Sequence, residues 1–206
     1  MASDLDKVMP RNDADGTNFQ PTVEGNKALS KGRKIYDAAS KYDYYGMRHP
    51  SASDINEKIG KDLMLEWFGM FYRRMMADPR MAVLFDTSHA DTNVSAAVHG
   101  ERLALALMTQ WCGDPGYYKL RGRRGTHMFH VLQVSHQRAK GCPMRSRSLQ
   151  GRGFTVDQRD SWLGHLWYAG EECSVPSKLR DHIVLHLGTA IGLYGPFVKN
   201  AGASQA

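Results

Sequence analysis

The stretch KDLMLEWFGMFYRRMM, residues 61–76, spaces its apolar side chains for a helix and not for a strand. Leu63, Trp67, Phe71 and Met75 recur every four residues, and Met64, Phe68, Tyr72 and Met76 form the adjacent row. Two neighbouring rows make a broad apolar stripe, which is stable only when other elements cover it. Asp78-Pro79 ends the run, because proline lacks an amide hydrogen and collides with the preceding turn. Ser53 and Asp54 are suited to cap its start.

Three further segments follow the same period. Between about Asn93 and Trp111, His99, Leu103 and Leu107 fall on one line, flanked by Ala106 and Gln110. Gly113-Asp114-Pro115-Gly116 breaks that helix. A third helix is expected from about Asp157, where Asp157 and Asp160 suit the positive N-terminal end. Trp162, Leu163, Leu166 and Trp167 form its stripe. Pro176 is placed as the first residue of a fourth helix, with Leu179, Ile183, Leu187, Ala190 and Tyr194 facing inward. No alternating run sits beside a hairpin turn. The fold class read from these patterns is all-α.

Residues 1–55 are rich in Gly, Asp, Asn, Ser and Lys, with scattered apolar positions at Val23, Leu29 and Ile35. They read as an irregular N-terminal extension with a short helix around residues 27–40. The 206 residues are 42% apolar and 23% charged, ordinary values for a globular chain. No run reaches the roughly 20 apolar residues that cross a bilayer, and MASDLDKVMP lacks the apolar core of a secretory signal. Cys112, Cys142 and Cys173 offer neither a CxxC pair nor an even count, so a reducing compartment is expected. The chain is therefore expected to be soluble and cytoplasmic. Its net charge of +6 is local: residues 121–152 hold eight Arg and Lys and no acid, leaving the remainder near −2.

HExxH, GxSxG and P-loop signatures are missing from the sequence, which removes the common hydrolase and nucleotide-binding readings. Among nine histidines, two stand out. His99 lies one turn before Leu103 on an apolar stripe, and His130 follows Met128-Phe129 after a basic, Gly-rich connection. Histidines on two apolar segments of a helical chain can clamp a flat iron cofactor, since neutral imidazole ligates iron and an apolar slot covers the porphyrin. A lone histidine beside apolar residues is more often a hydrogen-bonded core residue.

The ordered set FYRRMMADPRMAVLF, HGERLALALMTQWCGDPGYY, RGRRGTHMFH and FTVDQRDSWLGHL resembles the truncated haemoglobin family, most closely its second group. The resemblance covers about residues 57–197 apart from inserts. It implies a globin-like two-over-two helical sandwich over residues 56–200, after the 1–55 extension and before a short disordered tail at 201–206. The implied cofactor is haem b. The implied function is reversible binding of dioxygen, nitric oxide and carbon monoxide, of the oxygen-carrier or sensing type.

Residue by residue, His130 matches the proximal histidine that bonds the iron, with His136 as competitor and His127 as a weaker one. Tyr72 matches the helix-B tyrosine whose phenol can donate a hydrogen bond to bound dioxygen. Phe85 matches the aromatic residue packed on the haem after helix C, and Trp162 the helix-G tryptophan, whose indole is donor-only. His99 and Leu103 match distal positions of helix E. Many second-group members have a small residue where His99 stands. His99 either hydrogen-bonds the ligand or itself binds iron.

The departures are specific. Cys112-Gly113-Asp114-Pro115 stands where the family has GGP, and residues 86–97 are longer than usual. The 32 positions from His130 to Trp162 exceed the family spacing and leave a basic insert at about 133–151. Phe129 replaces an arginine that often precedes the histidine. Arg121, Arg124 and His127 stand in as partners of the haem propionates by charge and position. The insert reads as a solvated loop, a docking surface for an acidic reductase, or a site for nucleic acid or anionic membrane. The absence of aromatics between Arg138 and Arg152 counts against nucleic acid.

Two alternatives remain. One is a nitric oxide dioxygenase or peroxidase-like enzyme served by an external reductase. The other is a haem-free helical interaction module that uses the insert.

Overall fold

The computed structural model describes residues 22–44, 46–84, 96–113 and 154–192, together with 195 and 197. These residues form seven helices: α1 (Val23–Ala39), α2 (Ala52–Lys58), α3 (Gly60–Ala77), α4 (Pro79–Ala82), α5 (Ala96–Cys112), α6 (Val156–Glu172) and α7 (Ser177–Ile191). The described part is all-helical, as the apolar periodicity predicts. No helix among the described residues is long and apolar enough to cross a membrane. Phe85, Arg121, Arg124, His127, His130 and His136 lie outside the described residues, as do Tyr194, the insert and the two terminal segments 1–21 and 201–206.

The helix expected around residues 27–40 is longer and packs more tightly than its composition suggests. The Thr22 hydroxyl caps α1 by accepting from the Gly25 amide at 3.0 Å. Its inner face is made of small residues, Gly25, Ala28, Gly32 and Ala39, all buried. A Cβ on Gly32 would lie 1.6 Å from the Asp160 carbonyl oxygen, and one on Gly164 would lie 1.8 Å from that of Ala28. The backbones of α1 and α6 therefore touch, so packed structure begins ahead of Ser53.

The run predicted as one helix from Ser53 is two. Ser51, not Ser53 or Asp54, caps α2, its hydroxyl accepting from the Asp54 amide at 3.4 Å. Gly60 at φ +68° then breaks the chain before α3, a conformation glycine adopts without the Cβ clash of other residues. Asp78 caps α4, and Pro79 occupies its first turn, where no amide hydrogen is needed. Thr155 and Gln158 form a reciprocal capping box at the start of α6. Pro176 is the residue preceding α7.

The core sits where α3 meets α5 on one side and α6 on the other, with α7 packed on α6 and α1. Trp67, Phe68, Phe71, Met64, Leu107, Leu166 and Ile183 are fully buried in it. The Trp67 indole donates to the Leu166 carbonyl at 2.9 Å, satisfying a polar group that burial would otherwise leave stranded. Both apolar rows read from residues 61–76 face this core. Tyr72 and Leu63 sit at its margin, partly buried.

Candidate functional site

Three helices link His99, Tyr72 and Trp162 through one buried ring, Phe71, on which Tyr72 and Trp162 pack while His99 stacks on Tyr72. Phe71 of α3 is fully buried. The Tyr72 ring lies 5.0 Å from it and that of Trp162 4.9 Å, both edge-on. His99 of α5 stacks on Tyr72 at 5.3 Å with 16° between the planes. Offset or edge-on aromatic pairs of this kind each contribute about 0.5–1.5 kcal/mol beyond their buried area. Leu103, one turn beyond His99, is 8% exposed.

The stack follows from a close helix contact. A Cβ on Gly100 would lie 2.7 Å from the Phe68 carbonyl oxygen and 2.8 Å from the Gly69 Cα. Without that missing side chain α5 could not approach α3 closely enough for the neighbouring His99 to reach Tyr72. Sequence reasoning named Tyr72, His99, Leu103 and Trp162 for the site, and the structure places all four on adjoining elements. It treated Phe71 only as core and passed over Gly100. The fourfold spacing that carries Phe71 was the available signal for the first, whereas nothing in a single sequence marks the second.

Tyr72 and His99 are both half-buried, and burial shifts the titration of each. Burial pushes the Tyr72 phenol well above the ordinary tyrosine range. Burial also pulls His99 below the usual imidazole value, with the Arg102 charge adding to the effect. At neutral pH the stacked pair carries a protonated phenol and a neutral imidazole.

A second polar cluster lies about one turn along α6 from Trp162. His165 Nε2 is 2.9 Å from Asp78 Oδ2, and both residues are almost fully buried. Asp78 Oδ1 accepts from the Arg80 amide and side chain at 3.0 and 3.3 Å. Burial opposes ionisation of Asp78. The His165 hydrogen bond and the Arg80 charge outweigh it and hold the carboxyl below its ordinary value. Gln158 Nε2 donates to the Arg80 carbonyl at 3.0 Å, so the same corner ties α4 to the first turn of α6. This cluster fixes the α3–α4 corner relative to the helix that carries Trp162.

At the other end, His49 Nδ1 and His186 Nε2 lie 3.1 Å apart, with Tyr44 and Trp111 packed on the His186 ring at 5.2 and 5.7 Å. Among the described residues no group of three or more His, Cys, Asp or Glu is arranged to hold a metal ion. No family model matches the chain, and neither a curated protein nor a solved structure matches it.

Proposed function

We propose that this chain binds haem b in the manner of a truncated haemoglobin and takes up dioxygen and other diatomic ligands, nitric oxide and carbon monoxide, reversibly. The observation that carries the reading is the chain of ring contacts His99–Tyr72–Phe71–Trp162, in which Tyr72 and His99 are desolvated. These are the residues that the resemblance assigns to the ligand side of a haem. The helix contacts support it too: α3 packs on α5, α6 on α7, and α3 on α6. In this reading those pairs make the two-over-two sandwich, with α1 as an additional helix laid on α6.

Tyr72, His99 and Trp162 suit the ligand side of the haem group by their hydrogen-bonding chemistry. The fully buried Phe71 backs Tyr72 and Trp162 from the core side, and Leu103 continues the α5 face one turn beyond His99. When bound, haem supplies the ferrous iron at which a diatomic ligand attaches. Tyr72 keeps its proton and donates a hydrogen bond, because desolvation makes the phenolate unfavourable. Trp162 contributes a donor-only N–H, which favours an acceptor ligand. His99 stays neutral, leaving one ring nitrogen to donate and the other to accept. His130 is assigned the axial bond, Phe85 the contact on the haem face, and Arg121, Arg124 and His127 the propionates.

The test is the absorption spectrum of the haem-supplied protein in the ferrous state, with and without carbon monoxide. A Soret band that shifts with carbon monoxide supports the reading. A colourless product removes it and leaves the helical interaction module. His130→Ala should abolish most haem retention; if His136→Ala does so instead, the axial assignment moves to His136.

A further inference from the structure

A groove of about 550 Å³ runs along the outer face of α1 where it lies on α6. Lys27, Lys31 and Lys34 line it from α1, where their spacing puts them on one helix face, and Tyr168 lines it from α6. Val23, at the end of the groove, is 71% exposed. The Lys31 ammonium sits 3.7 Å from the centre of the Trp167 ring, and the Arg74 guanidinium lies 5.3 Å over Tyr168. Glu24 is already shared between Lys27 and Arg74, at 2.9 and 3.6 Å. Among the described residues neither Lys31 nor Lys34 forms an ion pair.

An apolar and aromatic floor inside a charged rim is how transient protein interfaces are built. A cationic rim also speeds encounter with a partner of opposite charge. We infer that this groove docks the acidic face of a one-electron donor protein of the flavin or iron–sulfur class. The inference rests on the proposed function, under which electrons must arrive from a separate protein to keep the iron reduced. The donor loses one electron, ferric iron gains it and becomes ferrous, and no bond or proton moves in the step. Trp167, covered by the Lys31 ammonium at the edge of the groove, and Trp162 of the candidate site are five residues apart on α6, about 7.5 Å along the helix axis.

The experiment titrates the full chain with a flavodoxin, an acidic one-electron flavin protein, without haem and again after haem is supplied. Calorimetry gives the affinity, and amide shifts in magnetic resonance give the surface. Binding to the haem-free chain should weaken steeply with added salt, and perturbed amides should cluster on α1 and around Tyr168. Lys31→Glu combined with Lys34→Glu should weaken binding about tenfold or more, whereas the control Lys61→Glu, exposed on α3, should not. In the haem-loaded protein the double variant should slow reduction by flavodoxin hydroquinone and leave reduction by dithionite unchanged. Equal affinities, no binding, or shifts confined to residues 133–151 would overturn the assignment. Tighter binding of a single-stranded oligonucleotide or of anionic vesicles at the same lysines would overturn it by naming a different occupant. Because affinity is read on the haem-free chain, failed haem uptake and failed docking are separate results.

Discussion

The His99 imidazole lies parallel to the Tyr72 phenol, 5.3 Å between ring centres and 16° between planes. Tyr72 therefore has two separable roles: its ring restrains His99, and its hydroxyl is a donor held in the protonated form. Tyr72→Phe keeps the ring and deletes the hydroxyl. A hydrogen bond to a partly charged acceptor contributes about 1.5–3 kcal/mol, so oxygen dissociation from the haem-loaded variant should rise about tenfold to a hundredfold. Stopped-flow replacement of oxygen by carbon monoxide measures it. Tyr72→Leu deletes both roles; a ferrous spectrum turning six-coordinate only in this variant would show that the stack is what keeps His99 away from the iron. An unchanged dissociation rate in Tyr72→Phe would refute the donor role.

Lowering of the His99 pKa by burial makes stability depend on pH in a defined window. The unfolded chain binds a proton at this imidazole near the ordinary value of about 6.5, and the folded chain binds it only at lower pH. The contribution is present above about 6.5 and is lost as pH falls through the folded value. His99→Phe preserves an aromatic partner for Tyr72 and removes the titration. Urea midpoints measured from pH 8 to pH 5 should fall more in the wild type than in the variant. Parallel curves would mean that His99 is solvated.

Much of this arrangement is legible in the sequence because large apolar side chains report their own burial. Leu63 to Met76 reveal the face of α3, and His99 declares itself by interrupting an apolar line on α5. The contacts made by absence are not legible. Gly25, Ala28 and Gly32 carry no hydrophobic signal, so a helix that buries them against α6 reads as irregular until Gly164 is seen opposite. The pairing of Asp78 with His165 spans 87 residues, and nothing local announces it. Gly60 and Ser51 were hidden because one continuous apolar pattern runs past the break at Gly60. His130, Arg121, Arg124 and His127, proposed for the iron and the haem propionates, lie outside the described residues.

The two glycines at the α3–α5 contact should respond oppositely to a methyl group. A Cβ on Gly69 would meet only the end of the Arg73 side chain, at 3.7 Å, whereas one on Gly100 would press on backbone at 2.7 and 2.8 Å. Gly69→Ala should be neutral or stabilise by up to about 1 kcal/mol, through helix propensity. Gly100→Ala should destabilise by about 1–3 kcal/mol and push α5 away from α3. The second consequence separates this account from a general loss of fit: Gly100→Ala should weaken the Tyr72–His99 stack and return the His99 titration toward its ordinary value. Thermal melts give the first quantity, and a histidine magnetic-resonance titration gives the second.

The Asp78–His165 pair should fail in acid and on truncation. Because the folded pKa of Asp78 lies below its unfolded value, its contribution is present above about pH 3.9 and is lost as pH falls through the folded value. Asp78→Asn keeps a side chain able to cap α4 while removing the charge, so it separates the effect of the carboxylate charge from that of the cap. Asp78→Ala removes both and leaves His165 and Arg80 buried without their carboxylate. Breaking a buried pair in that way costs about 3–5 kcal/mol. Denaturant melts at pH 7 should therefore rank wild type above Asp78→Asn and Asp78→Ala lowest. The gap between wild type and Asp78→Asn should close as pH falls toward 3. If both variants match the wild type at pH 7, the cluster does not hold the α3–α4 corner, and the placement of Trp162 must depend on α6 packing alone.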